Sequence, residues 1–102
     1  MAEEESPEEQ NEYLSSSIRK YEEMKRRKER YFFDVDALLK IIDHFIDSFE
    51  FEKALDVTGY ALSIHPQSTS FTLKEAQLFG LTGKEKEALA LLEKVEHINP
   101  FD

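Results

Sequence analysis

The chain contains no cysteine. That excludes disulfides, thiolate nucleophiles, cysteine-based zinc sites and iron–sulfur clusters, and it fits a reducing compartment. Glycine and proline number only three each. An all-β domain needs more tight turns than that, so the composition leans helical. No apolar run approaches the roughly 18–20 residues of a membrane helix. The opening Met-Ala-Glu-Glu-Glu is acidic where a signal peptide is basic. The expectation is a cytoplasmic protein with no membrane partner. Its 102 residues allow one domain, able to bury roughly two-thirds of its extended-chain surface and with little room for a deep catalytic pocket.

Charge is plentiful and unevenly spread. The net charge is −9. Residues 1–12 carry six glutamates and no Lys or Arg, whereas residues 13–30 carry seven Lys/Arg against three glutamates. The remainder has six lysines against thirteen acids. An acidic body argues against general nucleic-acid binding, because phosphate contacts need a basic surface. The acidic segment 1–12 has almost no apolar side chain to offset its ordering entropy and is expected to be disordered. The run Lys25-Arg26-Arg27-Lys28-Glu29-Arg30 is either a nucleic-acid patch or the solvated end of a helix, where cations complement the dipole. Its neighbours Glu22, Glu23 and Glu29 favour the second reading.

Helical periodicity runs through the rest. Tyr13, Leu14, Ile18, Tyr21 and Met24 make one apolar stripe, predicting a helix from Tyr13 to Arg30 with Glu22–Arg26 and Glu23–Arg27 pairs. Tyr31-Phe32-Phe33 breaks the pattern, either as a short extended connection that packs its rings into the core or the edge, the favoured reading because a small solenoid has to cap its first repeat with something apolar, or as an exposed partner-binding patch. Asp34 or Asp36 then caps a helix carrying Leu38, Ile41, Ile42, Phe45, Ile46 and Phe49. After a turn near Ser48–Glu52, a second helix carries Ala54, Leu55, Val57, Thr58, Ala61, Leu62 and Ile64, and Pro66 ends it. Ser68 or Ser70 caps the next helix, with Phe71, Leu73, Ala76, Leu78, Phe79 and Leu81, and Gly83 closes it. Lys84 to Glu87 opens the last, with Ala88, Leu89, Leu91, Leu92, Val95 and Ile98 before Pro100.

These helices repeat. Phe45 and Phe79, Ala54 and Ala88, Ile64 and Ile98, and Pro66 and Pro100 are each 34 residues apart. A fixed helical period of that length marks a helical solenoid. The chain therefore divides into an N-terminal segment 1–12, a helix and aromatic connection over 13–33, and two helical hairpins over 34–102, at 35–68 and 69–102. Its fold class is all-α, an α-α superhelix of antiparallel hairpins with an N-terminal accessory helix.

The period, the alanine early in the second helix (Ala54, Ala88) and the closing Pro66 and Pro100 resemble the tetratricopeptide repeat. Gly83-Lys84 sits where that family turns. Departures are Ile42 at a position of Gly or Ala, Phe49 at the turn glycine, Thr58 at an aromatic, and Thr72 at the first large residue. The resemblance implies a non-catalytic protein–protein interaction or scaffold module, with the first helix of each hairpin lining a groove for a peptide or partner surface. The implied groove residues are Asp36, Lys40, Asp43 and Asp47 from the first hairpin and Ser70, Lys74, Gln77 and Leu81 from the second. The acidic groove would favour a basic or neutral ligand. The alternative is a nucleic-acid-associated regulator using residues 25–30.

Catalysis and metal binding find little support in the residues. Asp43 and Asp47 share a helical face and paired carboxylates can act as acid and base, but no nucleophile or glycine-rich loop accompanies them. His44, His65 and His97 are dispersed, without ligand spacing. No cofactor and no metal is expected. Leu92, Val95, Ile98 and Phe101 would be left uncovered at the end of the second hairpin. The expectation is the N-terminal part of a longer repeat protein, with self-association through that edge.

Overall fold

Ser6-Pro7-Glu8-Glu9 starts the first helix, earlier than the apolar stripe predicts. The Ser6 hydroxyl accepts the Glu9 N–H at 3.2 Å, Pro7 takes the first turn, where no N–H is missed, and the two glutamates face the positive end of the dipole. In the computed structural model, which describes residues 6–98, five helices follow in order. They are α1 (Pro7–Arg27), α2 (Val35–Asp47), α3 (Phe51–Ile64), α4 (Thr69–Leu81) and α5 (Glu85–Ile98). Residues 7–12, expected to be disordered, are thus the first turns of α1; residues 1–5 lie outside the described residues. There is no strand among the described residues, and the fold is all-α.

Three helices stop in the same way. After α1, α2 and α4 the residue at Lys28, Phe49 and Gly83 takes a left-handed φ of 58°, 59° and 82°. The amide of the following residue then reaches back to close the turn: Glu29 to the Met24 carbonyl, Glu50 to Phe45 and Lys84 to Phe79. This double-bonded cap satisfies the orphan carbonyls of a helix end. Phe49 and Gly83 lie one 34-residue period apart, so both hairpins turn by one device. Only Gly83 occupies it without steric cost. Phe49→Gly is expected to stabilise the chain by about 0.5–1 kcal/mol, because relief of the left-handed strain exceeds the entropy cost of glycine. A rise in the urea midpoint checks this; a fall would mean that the contact of the Phe49 ring with Phe51 outweighs the strain.

Asp34, rather than Asp36, caps α2, its carboxylate accepting the Ala37 N–H at 2.8 Å. Leu38, Ile41 and Ile42 are fully buried and Phe45 nearly so. Against them α3 sets Ala54, Val57, Thr58 and Ala61, all fully buried. Thr58 enters the core because its hydroxyl donates to the Ala54 carbonyl at 2.7 Å, one turn back. Small residues at 54 and 61 let the paired helices approach, and bulky Ile42 fits the same seam. In α4 Phe71, Ala76 and Leu78 are buried, with Ser68 as N-cap residue but without a side-chain bond. In α5 only Ala88 is buried among the described side chains. Consecutive helices pack on one another and α4 also touches α2, so the hairpins α2–α3 and α4–α5 stack with α1 on the outer side of the first.

The aromatic connection divides its three rings. Phe33 is buried between Tyr21 and Tyr60, Tyr31 is half-buried, and Phe32 is 69% exposed with its edge toward His65. Its backbone is held from several sides: Lys20 donates to the Phe32 carbonyl, Tyr60 to the Tyr31 carbonyl, and the His65 ring lies 2.8 Å from the Phe33 carbonyl. These bonds tie the end of α1 to the end of α3.

Candidate functional site

The polar face of α2 and the neighbouring face of α4 bring part of the expected groove together. Lys74 of α4 donates to Asp43 of α2 at 2.6 Å, a bridge spanning the two hairpins. Lys40 pairs with Asp36 at 3.2 Å within α2 and lies 5.0 Å from the Tyr13 ring centroid of α1. Asp47 makes no hydrogen bond or ion pair among the described residues and is exposed. Ser70, Gln77 and Leu81 are exposed on α4. Of the three carboxylates in the expected groove, Asp36 and Asp43 are thus matched by lysines, and Asp47 has no ion-pair partner among the described residues.

The first turns of α1 add a wall to this face. Gln10, Asn11 and Leu14 face Lys40, Asp43, His44 and Asp47 across a cleft of about 380 Å³. Three α1 residues and His44 therefore belong to the site although sequence reasoning did not place them there. The helix-start signal Ser6-Pro7-Glu8-Glu9 would have found the wall; its position against α2 has no sequence signal.

A second cleft of about 350 Å³ opens between α1 and the first hairpin. It is lined by Tyr21, Glu22, Lys25, Phe45, Glu52, Lys53 and Asp56. At its edge the buried Tyr21 hydroxyl donates to Asp56, whose other oxygen accepts from Lys25 at 3.1 Å. Burial first, and then the hydrogen bond and charge of Asp56, push the Tyr21 phenol well above its ordinary range.

The basic run is largely engaged by the protein itself. Lys25 pairs with Asp56, Arg26 and Arg27 both pair with Glu23, and Arg30 donates to Ser63 while lying over the Tyr60 ring. The expected Glu22–Arg26 pair is replaced by Glu23–Arg26, one residue closer along the helix. Lys28 is in the left-handed cap that ends α1.

Of the expected edge residues, Leu92 is exposed and Val95 half-exposed on α5. The side chain of Ile98 and all of Phe101 lie outside the described residues. His44, His65 and His97 sit on three different helices or helix ends, and no group of three or more His, Asp or Glu is placed to hold a metal ion among the described residues. No described helix is long and apolar enough to cross a membrane. No family model matches the chain, and neither a curated protein nor a solved structure matches it.

Proposed function

We propose that this chain is a non-catalytic protein–protein interaction or scaffold module of the tetratricopeptide-repeat kind, and that its α2/α4 face takes a peptide segment carrying a lysine or arginine. The repeat reading is supported by the shared 34-residue period, the identical helix stops at Phe49 and Gly83, and the buried alanines at 54, 61, 76 and 88. The binding reading rests on one observation: Asp47 faces the cleft beside His44, Asn11 and Leu14 with no ion-pair partner among the described residues, whereas Asp36 and Asp43 have theirs.

A peptide array probed with the purified chain tests this. Sequences containing Lys or Arg are expected to be enriched, and Asp47→Asn to weaken them about fivefold, the worth of one partly exposed charge pair. Asp43→Asn frees Lys74 and is expected to shift the preference toward neutral or acidic sequences. Binding that ignores both substitutions would remove the groove from the function.

A further inference from the structure

The two hairpins present the same face, and among the described residues only one of those faces is covered. On the first hairpin Leu39 and Leu55 are half-buried and Thr58 is fully buried. There α4 packs against α2 and α3, with Phe71 and Leu78 fully buried. One period later the equivalent positions are Leu73, Leu89 and Leu92, which are 45%, 60% and 44% exposed. The interface that joins the hairpins therefore continues onto an apolar edge formed by α4 and α5.

The rim of that edge has changed character. Where the first hairpin has Ile46, Phe51 and Leu62 packed against the core, the second has Gly80, Glu85 and Glu96, all exposed. An edge kept under permanent cover by a third like hairpin would retain apolar residues at these places. Glu85, Leu89, Leu92 and Glu96 follow i, i+4, i+7 and i+11 spacing, so they share one face of α5. The two carboxylates stand about 16 Å apart along the axis, roughly three turns.

We infer that the α4/α5 edge is a second docking surface, for an amphipathic helix of another protein that carries apolar side chains at its centre and Lys or Arg about three turns apart. The apolar centre would seat on Leu73, Leu89 and Leu92 as α4 seats on the first hairpin, and the cations would meet Glu85 and Glu96. A second copy of this chain suits the edge poorly. Pairing α5 with itself antiparallel, with Leu89 opposite Leu92, sets Glu85 opposite Glu96 at both ends, and like charges at such positions repel. This surface is separate from the α2/α4 groove and does not depend on that reading.

The probe is a fluorescein-labelled amphipathic helical peptide with a central leucine pair and terminal lysines about three turns apart, followed by anisotropy against the full chain. Saturable binding is expected. Leu89→Asp combined with Leu92→Asp is expected to weaken it at least about tenfold, with the milder Leu89→Gln and Leu92→Gln pair used if circular dichroism shows lost helix. Glu85→Gln with Glu96→Gln is expected to weaken it severalfold and to flatten its salt dependence. Asp47→Asn is expected to remove only the component that the lysines of the probe give in the groove and to leave the leucine-dependent component, which separates this surface from the groove. Non-saturable binding, binding indifferent to Leu89 and Leu92, or binding lost with Asp47→Asn would overturn the inference. So would a dimer in light scattering that the leucine substitutions dissociate and the peptide does not. Binding indifferent to Glu85 and Glu96 would overturn the basic-helix assignment.

Discussion

Phe71→Ala is expected to destabilise the chain by about 3–5 kcal/mol and to lower its melting temperature by more than roughly 15 °C. Phe71 is fully buried in the first turn of α4, with the His65 ring centroid 5.9 Å away. It stands at the seam where the second hairpin joins the first. Within each hairpin, paired helices support one another; between the hairpins, the helix contacts among the described residues run only from α4 to α3 and α2. Truncating the ring leaves a cavity at that seam, which the rigid helices close only in part. Stacked repeats derive much of their stability from such nearest-neighbour interfaces. The urea transition of the variant is therefore also expected to broaden, as α4–α5 begins to unfold apart from α1–α3. Leu73→Ala, on the same helix but 45% exposed, is the control and should cost no more than about 1.5 kcal/mol. A small effect at Phe71 would mean that the hairpins are joined elsewhere.

The elements that were legible in the sequence are those whose side chains make a regular stripe. The leucines, isoleucines and phenylalanine of α2 recur at helical spacing, because one face of that helix is buried by α1, α3 and α4 together. The 34-residue period gave the second hairpin for the same reason: at the turn and at the alanines of the paired helices, equivalent positions meet equivalent neighbours. The start of α1 was missed because residues 7–12 bury nothing. That start is set by a hydroxyl cap, a proline and two glutamates, which leave no apolar period. The left-handed turn at Phe49 is marked only by its equivalence to Gly83, since phenylalanine carries no signal for such a backbone.

In the candidate site, the helix faces were legible and the charge pairing was not. The groove residues could be placed on helix faces, yet the bridge from Lys74 to Asp43 joins residues 31 apart, and nothing local announces it. That bridge decides which carboxylate of the candidate site already has a cation. The basic run shows the same limit from the other side. As sequence it is a patch; folded, Lys25, Arg26, Arg27 and Arg30 reach acids, a serine or a ring of the chain itself. Position along a helix gives the face, whereas the identity of the partner across a helix pair comes only with packing.

Tyr21→Ala should come close to Phe71→Ala in cost, about 3–5 kcal/mol, because Tyr21, together with the buried Met24, fastens α1 to the first hairpin. Its ring is buried, 6.2 Å from Phe33 and 6.1 Å from Tyr60, and its hydroxyl reaches Asp56 on α3. Tyr21→Phe keeps the ring and removes only the bond to the carboxylate, so it should cost about 1.5–3 kcal/mol, the usual worth of a hydrogen bond to a charged group. The two contributions separate by pH. The folded protein holds the Tyr21 phenol above its ordinary value, through burial and then through Asp56. The unfolded chain loses that proton near pH 10. The corresponding stability is therefore fully present below about pH 10 and is lost as the pH rises, by up to about 1.4 kcal/mol per unit. Tyr31, also raised by its burial, adds to the alkaline loss in both proteins. In urea titrations at about pH 8 and about pH 11, the gap between the parent and Tyr21→Phe should narrow, because only the parent has a phenol at position 21 to titrate. A gap of equal size at both would mean that the phenol titrates as freely when folded as when unfolded, and that neither burial nor Asp56 holds its proton.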